Sequence, residues 1–217
     1  MASADTNTRI LVLYYSMFGN TFQMAREVAE GVNAVPGAKA IIKTVPELLP
    51  EGVLAAPSIQ AAKKLQKDIP IAQLDDLKDA DGIIFGSPTR FGNMCAQLRN
   101  FLDQTGGLWT EGALVGKPAG VFTSTNTMHG GQETTLISMM LTLFHQGMIM
   151  VGIPYTVPEL NTTQSGGTPY GPSHVAGQKS DLPLTQEEIT ICRVLGRRVA
   201  EVTRQLVAGK KTLLRNL

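Results

Sequence analysis

The chain has 217 residues, 43% of them hydrophobic, and a formal net charge of +1. That is enough apolar material for one folded core, and a charge so near zero, with no lysine or arginine run longer than two residues, argues against a nucleic-acid surface. Cys95 and Cys192, the two cysteines, are too far apart for a Cys-x-x-Cys pair or a metal-ligand spacing. Met1–Thr8 lacks the apolar stretch of a signal peptide, and no apolar run approaches the roughly 18 residues of a membrane span, so a soluble cytoplasmic protein is expected.

The first element is Ile10-Leu11-Val12-Leu13-Tyr14-Tyr15, an apolar run with almost no alternation, as expected of a parallel strand buried on both faces. A helical pattern follows, with Phe22, Ala25, Val28, Ala29 and Val32 on one face and Asn20 or Thr21 expected as N-cap. Between strand and helix lies Ser16-Met17-Phe18-Gly19-Asn20-Thr21. Such a junction aims free N–H groups and the positive end of the helix dipole at the turn, where a phosphate is the natural occupant. At an arbitrary junction the same residues are ordinary turn and capping chemistry, so this loop alone names no ligand. It lacks the Gly-Lys-Ser/Thr ending of a P-loop and the Gly-x-Gly-x-x-Gly of a dinucleotide turn, which disfavours ATP chemistry and tight NAD binding there.

A second strand is predicted at Ala40–Val45 and a third at Asp81–Gly86, separated by an alanine- and lysine-rich insertion, Pro50–Ile71, with a short helix near Ser58–Lys67. Helical segments follow near Met94–Gln104 and Gln132–Gln146, a fourth strand at Ala119–Thr123 and a short fifth at Met148–Val151. The alternation reads as an α/β fold with a parallel sheet. Asn161–Ser180, rich in Gly, Ser, Thr and Pro, is either a disordered connector or an ordered loop with a job. The last helix opens with a staple and capping box at Leu184, Thr185, Glu188 and Ile189 and carries Cys192, Leu195, Val199, Val202 and Leu206 on one face. Residues 1–8 are expected to be a flexible N-terminus, 9–208 a single domain and 209–217 a tail.

Ligands of open parallel sheets sit beyond the carboxyl ends of the strands. Two further loops there resemble the first in chemistry: Ser87-Pro88-Thr89-Arg90-Phe91-Gly92-Asn93 and Ser124-Thr125-Asn126-Thr127-Met128-His129-Gly130-Gly131. Three loops dense in hydroxyls, amides and glycines suit a flat polar heterocycle held by main-chain hydrogen bonds, such as a flavin. Phe91 and Trp109 are either an aromatic wall of that site or core residues, and Arg90 is either a charge beside it or half of a surface ion pair. His145, at a helix end, is either a cap or a proton-delivering group. His129 and His174 are weaker candidates, with no third ligand at metal spacing, and no metal site is expected.

Leu13–Thr21, Phe85–Met94, Asp103–Trp109, His129–Thr134 and Gly166–Gly171 together resemble the WrbA family, flavodoxin-like NAD(P)H:quinone oxidoreductases of type IV. The resemblance runs from about Arg9 to the C-terminal helix. It implies a flavodoxin-like, doubly wound, five-stranded parallel sheet of order 2-1-3-4-5 with a helical insertion after strand 2. It also implies FMN as cofactor, NADH or NADPH as hydride donor, a quinone reduced to hydroquinone by a ping-pong cycle, and a homotetramer built as a dimer of dimers. Family FMN contacts fall on Ser16, Met17, Phe18, Gly19, Asn20 and Thr21, on Pro88, Thr89, Arg90, Phe91 and Gly92, on Ser124, Thr125, Asn126, Thr127 and Gly130, and on His145. Phe18, Trp109 and His145 fall on the nicotinamide or substrate side, with His145 in the catalytic role. Many relatives carry tyrosine where this chain has Phe18, so stacking on a nicotinamide is kept and a hydroxyl contact is lost. The competing readings are a flavodoxin-type electron carrier, which the near-neutral charge disfavours, and a non-enzymatic regulatory binding protein.

Overall fold

The computed structural model describes residues 8–215. In chain order the elements are β1 (Thr8–Tyr14), α1 (Asn20–Asn33), β2 (Ala38–Thr44), α2 (Glu51–Leu54), α3 (Pro57–Leu65), α4 (Leu74–Asp79), β3 (Gly82–Arg90), β4 (Asn93–Met94), α5 (Ala96–Asp103), α6 (Gly106–Thr110), β5 (Pro118–Thr125), α7 (Gln132–His145), β6 (Ile149–Met150), α8 (Glu159–Thr162), β7 (Ser173–Val175) and α9 (Gln186–Arg215). The expected flexible N-terminus lies outside the described residues except for Thr8, which opens β1. Of the expected tail, the part through Arg215 continues α9 and the rest lies outside them.

Successive side chains of a strand point to opposite faces, so the unbroken apolar run of β1 feeds two cores. Ile10, Val12 and Tyr14 pack with Phe22, Met24, Val28 and Val32 of α1 and with Ile191, Leu195 and Val199 of α9. Leu11, Leu13 and Tyr15 pack on the other side with Leu98 and Phe101 of α5 and Leu136, Met139 and Leu143 of α7. The sheet runs β2-β1-β3-β5-β6, all parallel, which is the expected order 2-1-3-4-5 once short β4 is set aside.

Several boundaries differ from the sequence reading, each for a local reason. β3 and β5 run on to Arg90 and Thr125, because Ser87 pairs with Thr123 and Pro88 with Ser124; their polar tips read as loop but continue the ladder. β4 hairpins back antiparallel on β3 through Arg90 and Asn93. The fifth strand is split. β6 pairs with the start of β5 through Ile149 and Met150, the chain leaves the sheet, and β7 returns beside the end of β5 through Ser173, His174 and Val175. The Gly/Ser/Thr-rich stretch is therefore ordered, with the Thr168 hydroxyl donating to Gly171 O at 2.9 Å to close its tightest turn. The insertion after β2 forms α2 and α3 and rejoins the sheet where Thr44 bridges Ile71.

α1 and α9 touch backbone to backbone. A Cβ on Gly31 would lie 2.0 Å from Arg193 O, and one on Gly196 would lie 2.0 Å from Val28 O. The capping box of α9 forms as predicted, Glu188 N donating to Thr185 Oγ1 at 3.2 Å and Thr185 N to Glu188 Oε2 at 2.9 Å. Burial pushes the Glu188 carboxyl up, but hydrogen bonding and positive charge from His174, with the Thr185 amide and Ser165 hydroxyl, outweigh it and hold the pKa below its ordinary value.

Gly196→Ala should lower the unfolding free energy by about 3 kcal/mol, because the obstacle is backbone and cannot rotate away; a urea titration showing less than about 1 kcal/mol would contradict this packing. Glu188 stabilises the fold only while it is ionised. Its contribution is fully present above the ordinary value of 4.5 and is lost as pH falls through the lower folded value. Glu188→Gln should therefore be less stable than the parent by about 3 kcal/mol at pH 7, with the gap shrinking below pH 4.5. Urea midpoints between pH 7 and 3 check the sign.

Candidate functional site

The carboxyl ends of β1, β3 and β5 open into one cavity of about 300 Å³. From the β1 loop it is lined by Ser16, Met17, Phe18, Asn20 and Thr21, from the end of β3 by Pro88, Thr89, Arg90 and Phe91, and from the end of β5 by Ser124 and Asn126. The remaining predicted loop residues, Gly19, Gly92, Thr125, Thr127 and Gly130, shape the loops behind this lining: the Thr125 hydroxyl donates to Thr127 O at 2.9 Å, and Gly130 N donates to Thr127 O at 3.1 Å.

The helix start differs from the expected N-cap. Gly19, at φ 93°, occupies that position, and Asn20 and Thr21 are the first two helical residues. Glycine takes this left-handed angle without the Cβ penalty. Gln23 N closes the first turn on Gly19 O at 3.0 Å, so the amides of Asn20, Thr21 and Phe22 have no helical carbonyl to meet. No side chain caps them, and the first turn carries no acidic residue to compete for an anion. Gly19 N itself donates to Ser16 Oγ at 3.1 Å, which fixes the loop's curvature.

The loop is also supported from below by the insertion. The Tyr14 hydroxyl donates to Gln66 Oε1 at 3.0 Å, and Gln66 Nε2 donates to Ala62 O at 2.9 Å. Tyr15 donates to Glu47, which pairs with Lys63 at 2.7 Å, and the Lys63 ammonium sits 4.5 Å from the Tyr15 ring centre. Burial pushes both phenols well above their usual range, and the Glu47 charge adds to the effect on Tyr15, so both remain neutral donors.

On the opposite wall, Thr89 and Thr135 share a hydroxyl contact of 2.7 Å, and Thr135 donates to Gly131 O at 2.7 Å, tying β3 to the start of α7. Arg90 reaches across the cavity, donating to Thr89 O at 2.8 Å and lying 3.4 Å from Met17 Sδ. Phe91 stands at φ 52°, fully exposed at the mouth. It is an aromatic wall and not a core residue.

His145 and Trp109 do not line this cavity. α7 starts beside it and carries His145 to its other end, roughly 20 Å away at 1.5 Å per residue over 14 residues. There Trp109 Nε1 donates to His145 O at 2.9 Å, and Trp109 is 61% exposed. His129 lines a separate shallow hollow with Met128 and Glu133, and His174 is buried against Glu188. One lining residue, Ser180, was not among the sequence candidates; the composition of Asn161–Ser180 marked the stretch as functional or disordered but singled out no residue in it.

Known proteins share this chain's sequence and fold. Residues 8–160 match the family described as NADPH-dependent FMN reductase. An NAD(P)H dehydrogenase (quinone) of Aromatoleum aromaticum is 48% identical over 204 residues, covering 93% of this chain and 99% of that protein. One of Acidithiobacillus ferrooxidans is 52% identical over 201 residues, covering 92% and 98%. Among solved structures, a flavodoxin, WrbA-like protein from Agrobacterium tumefaciens superposes with a TM-score of 0.60 at 25% identity, covering 92% of this chain and 99% of that one. Oxidised flavodoxin 1 from Bacillus cereus shares the fold with a TM-score of 0.55 at 17% identity, covering 89% and 97%. The chain belongs to the family of the NAD(P)H dehydrogenase (quinone) proteins and carries the NADPH-dependent FMN reductase domain over residues 8–160.

Proposed function

We propose that the cavity holds FMN and that the protein is an FMN-dependent NAD(P)H:quinone oxidoreductase. The observation that carries this reading is the uncapped start of α1, with free amides and the hydroxyls of Ser16 and Thr21 at the end of a cavity whose other walls are Pro88, Phe91 and Met17. That is a phosphate cradle joined to a slot for a flat ring, and the donor set fits FMN. When bound, FMN supplies the redox chemistry, accepting a hydride from NAD(P)H and then delivering two electrons to a quinone.

The protein supplies the rest. The α1 amides hold the phosphate dianion by dipole and hydrogen bonds. Thr89 and Arg90, which line the cavity, would hold the polar edge of the ring, where the Arg90 charge would favour negative charge. Phe18, 40% exposed, and Phe91 form the apolar mouth through which a nicotinamide or quinone ring stacks. His145 lies outside this chain's own cavity, and in the assembly it would hold a proton at the quinone oxygen in the cavity of another subunit. Trp109, Val115, Leu141 and Phe144, each more than half exposed, form an apolar face beside it, of the kind that subunit contacts cover. The assembly is a homotetramer, a dimer of dimers, in a soluble cytoplasmic protein; among the described residues no helix is long and apolar enough to cross a membrane.

Steady-state rates for FMN-loaded protein with NADH or NADPH and benzoquinone should give parallel double-reciprocal lines, since donor and acceptor use one site in turn; intersecting lines would overturn the shared site. Thr21→Asp, which puts a carboxylate in the phosphate cradle, should weaken FMN binding about 100-fold and leave riboflavin binding almost unchanged. His145→Ala should cut quinone turnover at least about tenfold with little loss of FMN. Sedimentation run beside activity tests the assembly: dilution to monomer should abolish turnover, and a fully active monomer would remove His145 from the mechanism.

A further inference from the structure

Between β7 and α9 the chain makes a turn, 176–182, that is tied at its base and again at its tip. At the base, His174 Nδ1 lies 2.7 Å from Glu188 Oε2 and Nε2 lies 3.2 Å from Leu182 O, with both side chains buried. The Leu182 carbonyl only accepts, so Nε2 is the donor in that contact. Glu188 also accepts from Val175 N at 3.2 Å and from Thr185 N at 2.9 Å, so the carboxylate anchors the chain on both sides of the turn, and from Gly166 N at 2.9 Å in the preceding loop. Leu182 N closes the base on Ala176 O at 3.0 Å.

At the tip stands Ser180, with φ 57°, a left-handed angle that a residue with a Cβ takes only when its surroundings hold it there. Its carbonyl accepts from Asn20 Nδ2 at 3.0 Å, and its hydroxyl donates to Asn126 Oδ1 at 3.1 Å. One residue thus bridges the β1 loop and the β5 loop across the end of the cavity where the free α1 amides point.

We propose that this turn is a strap closing the phosphate end of the cavity, and that Ser180 selects flavin mononucleotide over flavin adenine dinucleotide. The inference rests on the flavin reading above. A monophosphate ends at the α1 amides and fits beneath the bridge. A pyrophosphate must continue outward through the space that Ser180 and its two hydrogen bonds occupy, and displacing them leaves the Asn20 and Asn126 amide groups without these partners. The larger nucleotide is rejected by steric conflict and by lost hydrogen bonds together. His174 and Glu188 are positioning residues: they fix the base of the strap and do not line the cavity.

The test is binding of FMN, FAD and riboflavin to apoprotein, read by quenching of flavin fluorescence. The parent should bind FMN at least about 100-fold more tightly than FAD. Ser180→Gly keeps the backbone angle and removes the hydroxyl bridge. It should weaken FMN about fivefold and lower the FMN-to-FAD preference about tenfold. His174→Ala should lower that preference in the same direction and speed amide hydrogen exchange at 177–181, and His174→Gln, which keeps a donor for Glu188, should restore both. If His174→Ala does not fold, Ser180→Gly decides alone. A preference unchanged in Ser180→Gly, with FMN still bound, overturns the strap. A parent protein that binds no FMN overturns the flavin reading and the strap with it.

Discussion

The contact on which the rest of the structure depends is the backbone-close crossing of α1 and α9. Gly31 against Arg193 O and Gly196 against Val28 O let the two helices meet without intervening side chains. That crossing presses α1 flat on the sheet behind Ile10, Val12 and Tyr14. The first turn of α1 is then held at one height relative to the end of β1, and every group that lines the phosphate end of the cavity takes its position from there. Had the helices been spaced by ordinary side chains, the free amides of Asn20 and Thr21 would no longer sit at the same height in the cavity that Ser124 and Asn126 also line.

α9 has a second effect at its own start. Its N-terminal turn holds Glu188, the carboxylate that fixes His174 and the entry to the strap. The helix that positions α1 therefore also positions the segment that crosses over α1's first turn. The split fifth strand makes this possible. By leaving the sheet after β6 and returning as β7 beside Thr123–Thr125, the chain brings a fourth loop to an edge that a simple five-stranded sheet would leave with three.

Much of this was legible in the sequence. The unalternated Ile10–Tyr15 run showed a strand covered on both faces, and the period of Phe22, Ala25, Val28 and Val32 gave the buried face of α1. The shared chemistry of three strand-end loops located the cavity. What escaped had physical causes. Thr89, Arg90 and Ser124 are polar and line the cavity, while Ser87 and Thr125 spend their hydroxyls on neighbouring backbone, and that polarity hid the strand character of both segments. The cap at Gly19 replaced the expected Asn20 or Thr21 because a side-chain cap would consume the amides the site needs. The catalytic role of His145 came from the family resemblance alone, and the residue's place at the end of the helix that starts beside the third loop puts it roughly 20 Å from this chain's own cavity. Ser180 was invisible because its role depends on a left-handed backbone angle and on partners 160 and 54 residues away in sequence.

The absence of lysine from Ser16–Thr21 follows from the same constraints. A lysine binds phosphate as a flexible point charge and tolerates some misplacement, whereas amides and hydroxyls bind only when their directions are already correct. A cradle built from dipoles therefore has to be rigid before the ligand arrives. The insertion supplies that rigidity: Gln66 joins the Tyr14 hydroxyl to Ala62 O, and Lys63 and Glu47 clamp Tyr15 directly before the loop. The basic residue of this region lies behind the loop at Lys63, where its charge holds Glu47 and the aromatic ring in place and leaves the phosphate cradle to neutral donors, with Arg90 on the opposite wall of the cavity.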